Sequence, residues 1–125
     1  IDSLRGNEKG KAVGETFWDF GIPTAVSIIE TKSVFSGKII ASGGIRNGLD
    51  IVKSIVLGAE IAGIALPVLK AQQQGGKGAV LKYLERVIEE IKVGCFVLGA
   101  KNITELKAKP YVLVGKTKQW AEQRI

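Results

Sequence analysis

The sequence predicts an α/β fold built on a parallel sheet, and three observations lead there. Two short apolar runs, Lys38-Ile39-Ile40-Ala41-Ser42 and Glu60-Ile61-Ala62-Gly63-Ile64-Ala65-Leu66, have the length and β-branched content of buried parallel strands. Each is followed at once by a helical pattern. The connections are short, so the order strand, helix, strand, helix implies parallel pairing through helical crossovers. Two strands are too few to stand alone, and the unit is expected to be part of a larger sheet.

Taken in order, residues 1–14 are polar and glycine-containing and read as a loop. A short helix is expected over 14–20, then a stop and a new start at Gly21-Ile22-Pro23-Thr24. The next helix, 25–31, places Ile22, Val26 and Ile29 inward. Gly37 and Gly43 bound the first strand, and a helix follows from Gly48 to Gly58 with Leu49, Val52, Ile55 and Val56 on one face and Asp50 and Lys53 on the other. Pro67 opens the helix after the second strand, through about Gln73. A break at Gly75-Gly76-Lys77-Gly78 precedes the longest helix, whose stripe of Val80, Leu84, Val87, Ile88, Ile91, Cys95 and Leu98 needs a partner surface. The remainder has a helical start at Ile103, a break at Pro110, an apolar stretch over 111–114 and a basic amphipathic end around Lys116, Lys118, Trp120 and Arg124.

Composition narrows the function classes. The 125 residues are 46% hydrophobic and 24% charged, a globular balance that argues against disorder. With Ile1 first and no Met anywhere, the sequence is expected to be part of a longer product. Eighteen basic against twelve acidic residues give a net charge of +6, which suits an anionic partner. Nucleic acid is not expected, because the basic residues are scattered and Phe17, Trp18 and Phe20 sit together among acids rather than interleaved with cations. Those three aromatics read as core. No apolar stretch approaches the roughly 20 residues of a membrane span. The single cysteine, Cys95, excludes an internal disulfide, lies in an apolar run that reads as buried, and is compatible with a reducing cytoplasm. No His is present, so there is no histidine base, no Ser-His pair and no histidine metal ligand. No metal-ligating set is expected in this segment. Glu85, Glu89 and Glu90 alternate with Lys82, Arg86 and Lys92 as on a solvated helix face, and Asp50 and Glu60 read as capping or solvated groups.

The informative motif is Ser42-Gly43-Gly44-Ile45-Arg46-Asn47-Gly48-Leu49-Asp50, where a strand ends and a helix begins. Paired glycines let the backbone turn sharply and approach a ligand, while amides at a helix start point outward with the positive end of the dipole. Arg46 adds a planar cation matched to phosphate oxygens. One unit later Ala65-Leu66-Pro67 repeats the geometry. In (β/α)8 barrels the loops after the last two strands frequently build such a phosphate site. The two turns here are adjacent in the same way, and with the resemblance set out next the expected fold is the C-terminal half of a (β/α)8 TIM barrel, one domain spanning 1–125 whose upstream half is absent.

The run from Ala41 to Asp50, with Leu57-Gly58-Ala59-Glu60 through Ala65-Leu66-Pro67-Val68-Leu69-Lys70, resembles the flavin-phosphate region of FMN-dependent barrel enzymes. Within them, Trp18-Asp19-Phe20-Gly21-Ile22-Pro23-Thr24, Leu98-Gly99-Ala100-Lys101 and the ending from Val114 to Arg124 look like type 2 isopentenyl diphosphate isomerase. The resemblance covers nearly everything from Phe17 on. It implies a cytoplasmic homo-oligomer, a tetramer or octamer, that interconverts isopentenyl and dimethylallyl diphosphate using reduced FMN as an acid/base group, with Mg²⁺ and with NADPH to reduce the flavin. It further implies that Gly44, Ile45 and Arg46 bind the FMN phosphate through one turn, that Ala65 and Leu66 do so through the next, and that Gly43 shapes the first. Catalytic residues, metal ligands and substrate-diphosphate contacts are implied to lie upstream. The nearest rival, an FMN-dependent 2-hydroxy acid oxidase or dehydrogenase, shares the turn but carries a histidine base motif ahead of it, and residues 1–31 contain no His. A non-catalytic half-barrel scaffold is the alternative from another class.

Overall fold

In the computed structural model, which describes residues 8–124, the two glycine-bounded apolar runs pair as parallel strands. The elements are α1 (Glu8–Thr16), α2 (Thr24–Val34), β1 (Ile40–Ala41), α3 (Gly48–Val56), β2 (Ile61–Ala62), α4 (Leu66–Val97), α5 (Ile103–Lys107) and α6 (Gly115–Arg124). Ile40 pairs with Ile61 and Ala41 with Ala62, a ladder shorter than the five- and seven-residue runs the sequence offers. The flanking carbonyls extend it. Ile39 O accepts from Glu60 N at 2.8 Å, and Ala41 O accepts from Gly63 N at 2.8 Å.

Alternation along β1 sorts its residues by face. Ile39 and Ala41 are buried against the helical layer, whereas Ile40 and its register partner Ile61 are 66% and 56% exposed. The helical layer fills two apolar clusters. Ile28, Ile39, Ala41, Ile45 and Ala59 form the one under the sheet, and Val52, Ile55, Ala100 and Leu106 form the one between α3, α4 and α5. Ile51 packs against both, so α3 is held between the sheet and the long helix.

α3 and α4 come close because two positions lack a side chain. A Cβ at Gly48 would stand 2.5 Å from Val87 O and 2.8 Å from Ile91 N, and one at Gly94 would stand 2.8 Å from Val52 Cγ2. The break within α4 falls at Gly75 and Gly76, whose φ/ψ of −157/22 and 58/−151 divide it into two helices as the glycine cluster predicts. The second of these carries the predicted stripe, with Val87 buried and Ile91 and Cys95 packed on the second cluster. Cys95 is half-buried rather than enclosed. Leu84 and Ile88, from the same stripe, remain 39% and 51% exposed.

Several expectations are corrected. The first helix lies at Glu8–Thr16, not over 14–20, because Glu8, Lys9, Lys11 and Ala12 favour helix strongly enough to carry Gly10 and Gly14. Residues after it form turns instead, with Trp18 N donating to Glu15 O and Phe20 N to Phe17 O. Phe17, Trp18 and Phe20 are not buried within this chain: they are 56%, 76% and 81% exposed, and Phe17 meets Phe20 edge-on at 5.7 Å. In α2 Val26 is buried as expected, Ile28 is buried beside it and Ile29 is half-buried, while Ile22, which precedes the helix start at Thr24, stays exposed. Leu49 is likewise exposed and Ser54 buried, its hydroxyl bonded back to Asp50 O. The sequence predictions for residues 1–7 lie outside the described residues.

α3 and α5 begin with the same device. Asn47 Oδ1 accepts from Asp50 N at 2.8 Å and Asp50 Oδ2 accepts from Arg46 N at 3.0 Å. Asn102 Oδ1 accepts from Glu105 N at 2.9 Å and Glu105 Oε2 from Lys101 N at 2.9 Å. Each is a reciprocal cap that satisfies two amides left open by the helix start. Asn47→Ala is accordingly expected to cost about 1 kcal/mol, read as a lowered urea midpoint with an unchanged slope.

At the opposite end of the strands Glu60 pairs with Lys107, tying β2 to α5. The hydrogen bond from Lys107 holds the Glu60 carboxyl below its ordinary range, with Lys38 and Lys32 adding to the effect and desolvation opposing it. A carboxylate depressed in the folded state contributes stability that is present above its unfolded pKa and is lost as pH falls through the folded value. Acidification below the usual glutamate range is therefore expected to remove this contribution. The effect is small because the pair is exposed to solvent, and Glu60→Gln is expected to flatten that part of the stability-against-pH curve.

Candidate phosphate-binding site

The parallel register brings the two strand-to-helix turns to one end of the sheet. Past the Ala41–Ala62 pair, Ser42 lies beside Gly63, so that a Cβ on Gly63 would meet Ser42 Oγ at 3.6 Å. From there one chain runs through Gly43, Gly44, Ile45 and Arg46 into α3, and the other through Ile64 and Ala65 into α4 at Leu66.

The first turn depends on its glycines. Gly43 and Gly44 have φ of 100° and 71°, a region that other residues enter at a cost. Thr24, from the start of α2, donates its hydroxyl to Gly43 O at 2.7 Å. Ile45 turns inward and is only 5% exposed in the first cluster, so it anchors the turn and leaves its backbone for a ligand. A Cβ on Gly44 would meet nothing within 4 Å: the space above the turn is open.

A hydrogen-bond inventory then locates the free donors. Asp50 holds Arg46 N, Glu90 Oε2 accepts from Gly48 N at 2.6 Å, and Asn47 holds Asp50 N. Three amides around the start of α3 are thus held by two carboxylates and a side-chain amide, which leaves fewer free amides there than expected. Among the described residues, the amides of Gly44 and Ile45 make no hydrogen bond. Neither does the Arg46 guanidinium, which is exposed and has no ion pair among them. Two adjacent amides and a guanidinium without partners among the described residues are the kind of donors that could hold a tetrahedral dianion.

The second turn adds to it. α4 starts at Leu66, its N-cap Ala65 makes no side-chain cap and Pro67 supplies no amide, so the amides of Ala65, Leu66 and Val68 are left open at its start. The six residues singled out in the sequence therefore fall on two adjacent turns. Three others were not legible as part of the site. Thr24, Tyr83 and Glu90 hold the first turn from α2 and α4, with Tyr83 donating its hydroxyl to Arg46 O at 2.7 Å. Of the three glutamates read as solvated, Glu90 turns toward α3, while Glu89 remains exposed and pairs with Lys92.

Sequence comparison places both turns within a known family. The profile of FMN-dependent dehydrogenases matches residues 19–113, which include both turns. The chain belongs to the FMN-dependent dehydrogenase family. Within it, the isopentenyl-diphosphate delta-isomerase of Methanocaldococcus jannaschii is 48% identical over 118 residues, covering 94% of this chain and 33% of that protein. The enzyme of that name from Methanococcus maripaludis is 49% identical over 117 residues, 94% of this chain and 33% of that one. That from Thermococcus kodakarensis is 44% identical over 119 residues, 95% and 32%. The chain spans about a third of the length of the curated relatives it matches. Family membership makes FMN the cofactor to consider for this chain. Among the described residues no three acids, cysteines or histidines gather as a metal site, and no helix is long and apolar enough to cross a membrane.

Proposed function

We propose that this chain is the downstream part of a (β/α)8 barrel and supplies the FMN phosphate site of an isopentenyl-diphosphate delta-isomerase. The observation that carries the reading is the likeness to enzymes of that name, 48% identity across 94% of the chain, at a segment whose free donors fit a phosphate. The exposed apolar face of Ile40 and Ile61, and the exposed Trp18 and Phe20, suit a sheet and core that a further part of the same barrel covers.

In this reading the amides of Gly44 and Ile45 and the guanidinium of Arg46 bind the phosphate from one side, and the backbone of Ala65 and Leu66 from the other. Gly43 sets the turn. Bound reduced FMN supplies a proton donor and acceptor for the allylic shift of the double bond. The part played by these residues is to fix the ring's position through its phosphate tail, so that orientation is settled before the substrate arrives. Catalytic groups, a Mg²⁺ for the substrate diphosphate and the site for NADPH belong to the upstream part, and the assembly is a cytoplasmic homo-oligomer.

The test is anaerobic incubation of the full natural chain with isopentenyl diphosphate, FMN, Mg²⁺ and NADPH, with dimethylallyl diphosphate as the readout. Flavin-dependent product is expected. Tight FMN binding without product, together with turnover of a 2-hydroxy acid, would replace the isomerase by an oxidase or dehydrogenase. Absence of FMN binding by the full chain would leave a scaffold.

A further inference from the structure

The long helix reaches the phosphate turn at two points on either side of Asn47. Tyr83 donates its hydroxyl to the carbonyl of Arg46 at 2.7 Å, and Glu90, two turns along the same helix, accepts from the amide of Gly48 at 2.6 Å. Arg86 stands between them. Its guanidinium lies 5.3 Å from the centre of the Tyr83 ring and its Nε is 3.5 Å from Glu90 Oε1. The three side chains thus make a continuous brace along one face of α4, while the close approach at Gly48 fixes the distance between the helices. Burial holds the Tyr83 phenol above its ordinary value, with Glu90 and Asp50 acting in the same direction and Arg86 against it, so its O–H remains a donor throughout the neutral range.

From this arrangement we infer that Tyr83 is a positioning residue for the cofactor phosphate: by holding the carbonyl of Arg46 it fixes the orientation in which the Gly44 and Ile45 amides and the Arg46 guanidinium meet their anion. The inference rests on the phosphate-site reading and deepens it. The carbonyl that Tyr83 engages belongs to the residue whose side chain is the site's cation, and the peptide on its amino side is held by Asp50. Without the hydroxyl, the Arg46–Asn47 peptide can rotate, and the free donors lose their common aim.

The experiment compares FMN with riboflavin, which has the same ring and no phosphate, on the full natural chain and its Tyr83→Phe, Arg46→Ala and doubly substituted forms. Tyr83→Phe is expected to weaken FMN about fivefold, the worth of one neutral hydrogen bond, and to leave riboflavin unchanged. In the Arg46→Ala background the same substitution is expected to change FMN affinity less than twofold, since residues acting through one turn are not additive. Equal weakening of FMN and riboflavin, or no weakening of either, overturns the inference while leaving the phosphate site intact. If Arg46→Ala itself leaves the preference for FMN over riboflavin unaltered, the phosphate-site reading fails instead.

Discussion

Gly48→Ala is expected to destabilise the protein by about 3 kcal/mol, the upper part of the range for overpacking a tight contact. The added methyl would stand 2.5 Å from both Glu90 Cβ and Val87 O and 2.8 Å from Ile91 N. Two of those atoms are backbone and cannot rotate away. Relief requires α3 and α4 to separate, which loosens Val52 from Gly94 further along the same interface and lengthens the bond from Gly48 N to Glu90. Gly44→Ala supplies the contrast. Its methyl enters open space and meets only the cost of a φ near 71°, about 1 kcal/mol for a single left-handed residue. Urea unfolding of the two variants, run in parallel, separates the effects: a large fall for Gly48→Ala and a small one for Gly44→Ala, where the larger consequence is for FMN affinity. Equal falls would mean that the helices part without cost and that α3 is not fixed by this contact.

Legibility in the sequence followed the range of the interactions. The strand-to-helix units could be read because glycine, proline and β-branched residues act locally: Gly43, Gly44 and Pro67 mark where the chain turns whatever holds the turn from outside. The double glycine at 75–76 broke α4 where expected for the same reason. Burial was less legible. Phe17, Trp18 and Phe20 have core-like side chains, yet a side chain is buried only if some other surface meets it, and composition does not say which surface does. The strands contract to two paired residues because a ladder is set by its neighbour as much as by its own apolar run. At the site, the six backbone and cation positions stood out as a motif, but their supports did not. Glu89 and Glu90 are indistinguishable in a run of alternating charges; the rotation of α4 that turns only Glu90 toward Gly48 is imposed by the contacts of Gly48 and Gly94. Tyr83 stands 37 positions from the carbonyl it holds.

Arg46→Ala is expected to weaken FMN binding by about 2 to 3 kcal/mol, roughly 30- to 150-fold, the worth of charged hydrogen bonds to a dianion. Riboflavin binding is expected to stay within twofold, because it presents no phosphate to lose. Stability should hardly change. The Arg46 side chain is exposed and has no ion pair among the described residues, whereas its amide and carbonyl, which carry the bonds to Asp50 and Tyr83, are retained in alanine. Arg46→Lys keeps the charge but not the planar pair of donors, and it should recover only part of the lost affinity. At saturating FMN the turnover of the Arg46→Ala enzyme should approach that of the parent, since the remaining backbone donors still hold the phosphate tail and with it the ring. A variant that binds FMN normally, with its preference over riboflavin unaltered, would overturn the phosphate-site reading. One that fills with FMN yet remains slow would show that Arg46 sets the orientation of the ring as well as its occupancy.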